Sequence, residues 1–271
     1  MSTTYTAVRS LRPPAPYQGG KRQLAERLVT RINAIEHTGY IEPFLGMGGI
    51  FLRRDHRPPT EAINDANAEL ITLFRLLQRH YNALMDELRW RLSSRAEFER
   101  LAATDPTTLT DLERACRFVY LQRLSFGGKA ARQSFGTTPT GTARFNIHRL
   151  EPLLEAIHER LASVVIECLP WQQFLTRWGR ATTLAMLDPP YIGTEDAYAA
   201  AFAPEEHEEL AAALQHYPGP WLLTINDCAR ARRLFGRWHL EEVSLTYSIA
   251  GAHQRAKSAR ELIISNHPPP V

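Results

Sequence analysis

Short apolar segments alternate with amphipathic helical patterns along most of this chain. Strands are predicted at 39–44, 61–65, 163–169, 182–187 and 221–226, each followed by helical spacing. Such alternation is typical of a mostly parallel sheet with helices on both faces. Two last segments, near 240–248 and 260–265, flank a polar turn and predict an antiparallel edge. The chain is therefore predicted to be an α/β protein.

The alternation is interrupted between residues 81 and 160. Residues 81–124 have a helical pattern, and residues 125–149 are rich in glycine and threonine without a clear period. Two helix starts are indicated by a Ser or Thr followed three residues later by Glu, at Ser94 with Glu97 and at Thr110 with Glu113. We predict an α/β domain from residues 1–80 and 161–271, and a smaller, mostly helical insert at 81–160. The first dozen residues are polar and are predicted to be frayed.

Composition narrows the class of protein only slightly. Hydrophobic residues make up 44% of the chain and the net charge is +3, which is an ordinary balance for a globular protein. The 3 cysteines are scattered without metal-ligand spacing, so no metal site is predicted. No segment approaches the ~20 apolar residues of a membrane span. We expect a cytoplasmic protein that is a monomer or a weak dimer.

A glycine turn and an aspartate lie where parallel sheets bind ligands, at the carboxyl ends of predicted strands. The turn is IEPFLGMGG at 41–49, and Asp65 follows about 20 residues later, at the end of the next strand. An ordinary strand–helix turn and a helix N-cap aspartate are the alternatives. The two features together favour a nucleoside site in which Asp65 accepts hydrogen bonds from ribose hydroxyls.

The segment LDPPY at 187–191 follows directly on an apolar strand. Its two prolines fix the backbone, so that Asp188 is held at a strand tip with Tyr191 beside it. A Pro-Pro turn that merely ends a strand is the alternative. A carboxylate and a backbone carbonyl can accept both protons of an amino group, and a tyrosine can stack on a flat ring. These groups fit the Watson–Crick edge of an exposed base that carries an amino group.

Positive charge is concentrated in part of the insert. Residues 114–150 contain no Asp or Glu but include seven Lys or Arg residues. Local positive charge of this kind is typical of phosphate binding, although a solvated basic loop has the same composition. A second basic segment lies in the closing turn, at 253–260.

Four motifs occur in a characteristic order. They are YQGGK at 17–21, EPFLGMGG at 42–49, NDAN at 64–67 and DPPY at 188–191. In this order they resemble the Dam-like (D12 class) adenine-N6 DNA methyltransferases, over nearly the whole chain. The last motif is shared with other amino methyltransferases, whereas the ordered set is more specific. The resemblance implies a Rossmann-like methyltransferase fold with a target-recognition insert.

The resemblance also implies S-adenosylmethionine as the cofactor, and it implies roles for individual residues. Tyr17 and Lys21 would flank the methionine end of the cofactor, with Lys21 near its carboxylate, and Asp65 would bind the ribose. The cofactor turn would comprise Pro43, Phe44, Gly46 and Gly48. The catalytic motif would comprise Asp188, Pro189, Pro190 and Tyr191. Asp188 would serve cofactor and target, and Tyr191 would stack on a flipped adenine.

The family's recognition segment is matched more loosely. Arg123 and the RFN sequence at 144–146 fit it, but the surrounding residues depart from it, so the target sequence is not defined. Contacts with double-stranded DNA are expected from Arg123, Lys129, Arg132, Arg144, Asn146, Arg255 and Lys257.

The expected activity is methyl transfer from S-adenosylmethionine to adenine N6 in a specific double-stranded DNA sequence. Base flipping and direct in-line displacement, without a metal, are the expected mechanism. N4 of cytosine, RNA, or a catalytically silent DNA-binding regulator are the alternatives. A Rossmann-type dehydrogenase is disfavoured because G-x-G-x-x-G does not stand at 46–49.

Overall fold

The structure is a computed structural model. It describes residues 5–17, 19–125, 134–136, 143–194, 202–247 and 257–269. Lys129, Arg132, Arg255 and the side chain of Lys257 lie outside the described part of the chain. Within that part, no helix has the length and apolar character needed to cross a membrane.

A seven-stranded sheet forms the centre of the protein. The strands of the chain are β1 (Thr6–Ala7), β2 (Gly39–Glu42), β3 (His56–Arg57), β4 (Thr60–Asn64), β5 (Val165–Glu167), β6 (Thr183–Leu187), β7 (Trp221–Asn226), β8 (His239–Tyr247) and β9 (Lys257–Ser265). The sheet order is β5-β4-β2-β6-β7-β9-β8, and β1 pairs with β3 in a separate ribbon. The first five strands in this order are parallel, whereas β9 is antiparallel to both of its neighbours. The predicted fold class is therefore confirmed.

Helices cover both faces of the sheet. They are α1 (Ala25–Asn33), α2 (Ala68–Arg79), α3 (Tyr81–Arg89), α4 (Arg95–Ala103), α5 (Asp111–Leu124), α6 (Ile147–Leu161), α7 (Trp171–Trp178), α8 (Glu206–His216) and α9 (Ala229–Phe235). Alternate side chains of each strand point to opposite faces. Leu184 and Met186 of β6 join the apolar cluster that contains α1 and α2, while Ala185 and Leu187 join the cluster that contains α7, α8 and α9.

The helices α3 to α6 extend the core formed by α2. Their buried side chains belong to the same apolar cluster as Leu73 and Phe74 of α2. Both predicted capped starts are confirmed: the Ser94 hydroxyl accepts from the Glu97 N–H, and Thr110 and Glu113 form a capping box. Helix α6 was not predicted, and Pro152 lies within it. The division into a catalytic domain and an insert stays a prediction.

The described N-terminal residues are built into the fold, so the prediction that they fray is wrong. We call residues 5–16 the N-terminal strap. Its strand β1 pairs with β3, and the Leu11 N–H donates to the Leu52 carbonyl at 2.7 Å. The carbonyls of Pro14 and Pro16 accept hydrogen bonds from α5. The strap therefore connects the segment after β2 to the end of α5.

The centre of the sheet contains a topological switch point. Strands β2 and β6 are adjacent and parallel, although more than a hundred residues separate them in the chain. From β2 the chain continues outward to β4 and β5, and from β6 it continues the other way to β7. Parallel sheets bind ligands in the crevice at such a point, beyond the carboxyl ends of the strands.

Candidate active site

A cavity of about 1310 Å³ opens at the carboxyl ends of β2, β4 and β6. Most of the residues predicted for the site line it, namely Tyr17, Lys21, Pro43, Phe44, Gly46, Asp65, Asp188 and Pro190. Gly48, Pro189 and Tyr191 are not among the residues that line the described cavity. Gly48 is buried against Leu52. The topology thus brings motifs from both halves of the chain to one cavity.

The glycine turn is tied to Asp65 by backbone hydrogen bonds. Gly46 and Gly48 have φ values of +51° and +73°, which glycine adopts without the strain of a β-carbon. The Gly46 N–H donates to Asp65 Oδ2 at 2.8 Å, and the Asn67 N–H donates to Oδ1 at 2.9 Å. Asn67, and not Asp65, caps α2, because its side chain accepts from the Glu69 N–H. Burial raises the pKa of Asp65, and the two N–H donors oppose that shift.

Tyr17 covers the glycine turn. A β-carbon at Gly46 would lie 3.5 Å from the Tyr17 ring, so the ring and the turn are in close contact. Asn67 Nδ2 donates to the Tyr17 hydroxyl at 3.4 Å. Burial, and then the nearby Asp65 carboxylate, raise the pKa of Tyr17 to about 12. The tyrosine is therefore a neutral wall of the cavity.

Asn64 joins the ends of three strands, a role that the sequence did not predict. It is fully buried, and its Nδ2 donates to the carbonyls of Pro43 and Leu169, both at 3.0 Å. The Leu169 N–H donates back to Asn64 Oδ1 at 2.8 Å. One amide side chain therefore sets the spacing between the residues that follow β2 and β5.

An aromatic wall lies on one side of the cavity. The Phe44 ring is 6.3 Å from the Trp171 ring and 5.9 Å from the Phe202 ring, measured between centroids. The Trp171 Nε1–H donates to the Glu206 carboxylate at 2.8 Å. Neither Trp171 nor Phe202 was predicted. The carboxyl-end rule could have indicated Trp171, because it begins the helix that follows β5.

Asp188 is held by two side chains that use the same oxygen. Lys21 Nζ lies 2.7 Å from Oδ1, and the Thr224 hydroxyl donates to Oδ1 at 2.8 Å. The lysine is 5% exposed and the aspartate 24%. Burial raises the pKa of Asp188, Lys21 and Thr224 lower it, and Glu261 raises it further. The Lys21 ammonium was expected near a cofactor carboxylate, and in this structure it pairs with Asp188.

Tyr191 is held by a hydrogen bond to a residue of β9. Its hydroxyl donates to the carboxylate of Glu261 on β9, which is 2% exposed. Lys21 Nζ lies 4.6 Å from the centroid of the Tyr191 ring, a cation–π distance. His207 Nε2 lies 2.9 Å from the Pro190 carbonyl oxygen. Thr224 and Glu261 were not predicted, because β7 and β9 become neighbours of this motif only in the folded sheet.

A third carboxyl group lines the cavity. Glu42 ends β2, is 3% exposed and accepts a hydrogen bond from the Tyr40 hydroxyl at 2.6 Å. Burial raises its pKa to about 8. Glu42 is therefore mainly protonated at neutral pH.

The predicted DNA-contacting residues have different locations. Arg123 and Arg144 line the cavity, where their guanidinium groups donate to the carbonyls of Pro14 and Ser125 at 2.8 and 3.3 Å. Asn146 is exposed and caps α6. In the described part of the chain, no group of three or more His, Cys, Asp or Glu residues could hold a metal ion.

A family model of the D12 class N6 adenine-specific DNA methyltransferases matches residues 17–249. The match covers most of the chain, and the protein belongs to this family. The predicted family and enzyme class, an adenine-specific DNA methyltransferase, are therefore confirmed.

Two curated proteins are similar in sequence. The type II methyltransferase M1.LlaDCHI of Lactococcus lactis subsp. cremoris is 26% identical over 208 residues, which cover 73% of this chain and 72% of that protein. The DNA N-6-adenine-methyltransferase of Escherichia phage P1 is 28% identical over 167 residues, covering 56% of this chain and 22% of the phage protein.

Two solved structures are similar at lower identity. The SAM-dependent methyltransferase from Agrobacterium tumefaciens has a TM-score of 0.41 and 10% identity, covering 92% of this chain and 62% of that chain. Precorrin 8w decarboxylase of Methanobacterium thermoautotrophicum has a TM-score of 0.43 and 10% identity, covering 90% and 89%.

Proposed function

We propose that this protein transfers a methyl group from S-adenosylmethionine to the N6 amino group of adenine at a specific sequence in double-stranded DNA. The observation that carries the proposal is the shared cavity of Asp65 and Asp188, with a glycine turn beside them. Membership of the family supports methyl transfer to adenine in DNA. A role in restriction–modification is part of the proposal, because the Lactococcus relative is named a type II methyltransferase.

The described residues fit the cofactor. Each Asp65 oxygen accepts one backbone N–H and retains a lone pair, so the carboxylate can still accept from ribose hydroxyls. The aromatic wall of Phe44, Trp171 and Phe202 offers an apolar surface to a flat adenine ring. Lys21 is the buried cation that would face the methionine carboxylate. The cofactor supplies a methyl group activated by a sulfonium centre.

The volume of the cavity supports two ligands. Pockets for a single small molecule usually measure about 300–1000 Å³. A cavity of about 1310 Å³ is larger than this range. Space remains for a nucleobase beside the cofactor.

Asp188 and Tyr191 would receive the target base. Adenine N6 cannot be reached inside a duplex, so the base must leave the stack, at a cost of a few kcal/mol. The Asp188 carboxylate and the Pro189 carbonyl would accept from the amino group while the Tyr191 ring stacks on the base. The position of Lys21 supports this role, because its N–H donor group already pairs with Asp188 and lies over the Tyr191 ring.

These contacts would act by orientation and by charge. Acceptors on both amino protons disfavour conjugation of the nitrogen lone pair with the ring and aim it at the methyl group. Well-oriented groups reach effective molarities of roughly 10⁵ M or more, so positioning contributes most of the acceleration in a direct displacement. The Asp188 carboxylate also stabilises positive charge that develops on N6.

The insert and the closing turn would bind the DNA. We assign target recognition to residues 81–160 and DNA contacts to Arg123, Lys129, Arg132, Arg144, Asn146, Arg255 and Lys257. The absence of acidic residues from 114–150 supports this assignment.

The proposal is tested by expressing the protein in cells that lack DNA methylation and mapping modified bases by long-read sequencing. We expect N6-methyladenine within one recurring sequence. Cells that express the Asp188→Asn variant serve as the control and should carry none. N4-methylcytosine in the DNA, or adenine methylation that persists in the control, would overturn the proposal.

A further inference from the structure

Five arginines line the cavity, and we call them the arginine rim. They are Arg12, Arg22, Arg53, Arg123 and Arg144. Arg12 and Arg22 are exposed, and the other three are half-buried. None of the ion pairs between described residues includes a rim arginine. Other arginines of the described chain, such as Arg54 and Arg160, do pair with an Asp or Glu.

Two pairs of rim arginines, Arg22 with Arg53 and Arg12 with Arg123, are near enough for their like charges to interact. Burial lowers the pKa of Arg53, and the neighbouring Arg22 lowers it further. Burial lowers the pKa of Arg123 in the same way, with Arg12 as the neighbouring charge. An arginine stays protonated in a protein, so these groups carry uncompensated positive charge. A surface of this kind is stabilised when an anion binds to it.

The acidic groups of the same cavity do not neutralise the rim. Glu206 accepts from the Trp171 indole, and Glu209 accepts from the Gln172 amide, both on the aromatic side. The Asp65 oxygens accept from backbone N–H groups. The rim is therefore the basic side of the cavity, and in the described contacts none of these carboxylates forms an ion pair with it.

The N-terminal strap holds the basic side in place. The backbone of Leu11 bonds to Leu52, and the Pro14 carbonyl accepts from Arg123 Nη1. These contacts fix Arg12 between the segment that carries Arg53 and the segment that carries Arg123. Arg53 itself donates to the Gly49 carbonyl at 2.6 Å. The basic side is thus a positioned array and not a set of independent surface side chains.

We propose that Arg12, Arg22 and Arg53 bind phosphates of the DNA next to the flipped adenine. From the sequence, DNA contacts were predicted only in the insert and the closing turn. The DNA would now also be held from the strap side. This inference rests on the proposed function. The family model matches residues 17–249, and Arg12 precedes them. The inference therefore assigns DNA contact to a residue outside the matched range.

The test compares the Arg12→Ala/Arg22→Ala double variant with Arg180→Ala. Arg180 is also exposed, but it precedes β6 and so lies at the opposite edge of the sheet from the cavity. Binding to a short labelled duplex of random sequence is measured by fluorescence anisotropy over a series of salt concentrations. Each lost phosphate contact lowers the slope of log K against log salt by about 0.9, so the double variant should lose about 1.8. Arg180→Ala should keep the slope of the unmodified protein.

A charge-retaining variant separates binding from folding. Arg12→Lys/Arg22→Lys should keep most of the salt slope, and melting temperatures are compared for all variants. The Michaelis constant for S-adenosylmethionine should not change in the double alanine variant. An unchanged salt slope would overturn the proposed phosphate contacts, whether or not the Michaelis constant for the cofactor rises. If the unmodified protein binds DNA with the expected slope but methylates none, the proposed function fails instead.

Discussion

Asp65 and Asp188 lie on the same cavity, and burial raises the pKa of both, yet they are held in different ways. Asp65 uses both oxygens, each to accept from a backbone N–H group. The described contacts of Asp188 all fall on Oδ1, and they come from the side chains of Lys21 and Thr224. Asp65 is held by the backbone, whereas Asp188 is held by side chains that can change their conformation.

This difference supports the proposed roles, a binding role for Asp65 and a reactive one for Asp188. Backbone donors move only when the fold moves, so Asp65 is suited to define a constant shape around a cofactor. A lysine side chain can withdraw, and Oδ2 of Asp188 can accept a new donor. The comparison therefore predicts different consequences for the same Asp→Asn change: lost methyl transfer at position 188 and weaker cofactor binding at position 65.

The largest effect is expected for Asp188→Asn. The amide oxygen can still accept from Lys21 and Thr224 at the Oδ1 position, so the protein should fold. At the Oδ2 position the variant presents an NH₂ group, which cannot accept from the target amine. We expect methyl transfer to fall by about 10³-fold or more, measured as tritium transferred from labelled cofactor to DNA. Near-normal activity would show that the proposed mechanism is wrong.

Asp65→Asn should weaken cofactor binding and the turn together. An amide at this position must direct its NH₂ group at either the Gly46 or the Asn67 N–H donor, because each oxygen of Asp65 accepts one of them. Hydrogen bonds to charged groups contribute about 1.5–3 kcal/mol, so we expect the Kd for S-adenosylmethionine to rise roughly 10- to 100-fold. Calorimetric titration measures it. A variant that binds the cofactor normally would remove Asp65 from the site.

Tyr191→Phe tests whether the reactive side depends on the placement of the ring. The change removes the hydroxyl that donates to the buried Glu261. Loss of such a bond costs about 1–3 kcal/mol, and we expect kcat to fall about tenfold while the Michaelis constant for the cofactor stays the same. Glu261→Gln, which can still accept from the tyrosine, is the matched control. Equal losses in both variants would argue against a role for the Tyr191 hydroxyl.

The smallest effect on stability at neutral pH is expected for Glu42→Gln. In the described contacts this carboxyl group is bonded neither to a backbone donor nor to a cation. Folding raises the pKa of Glu42 from 4.5 to about 8, so the folded protein keeps a proton that the unfolded chain releases. The contribution of Glu42 to stability is thus complete below about pH 4.5 and is lost as the pH rises through 8. Denaturant unfolding across this range should show a flatter pH dependence in the variant. Parallel curves would contradict the raised pKa.

Much of the sheet was predictable because its strands have a regular pattern. The predicted strand at 221–226 matches β7 to the residue. The carboxyl-end rule also placed Asp65 and Asp188 on one edge, because that rule depends only on topology. Local pattern and topology were sufficient for these features.

Other features depend on contacts between distant segments. Helix α6 was missed because Pro152 interrupts its pattern and lacks the N–H that would bond the His148 carbonyl. The strap was predicted to fray because its partners, such as Leu52, become neighbours only on folding. Thr224 reaches Asp188 for the same reason, from a strand whose local sequence gives no sign of it.

The position of β9 affects the order in which the protein can assemble during synthesis. This strand lies between β7 and β8 in the sheet, although it follows both in the chain. A nascent chain that has emerged only as far as β8 cannot close the sheet, and Tyr191 does not yet have Glu261 as its partner. Domains generally fold as units, so Tyr191 gains this partner only after β9 has been synthesised. Polypeptides whose synthesis stops before β9 would lack the carboxylate that holds the Tyr191 ring.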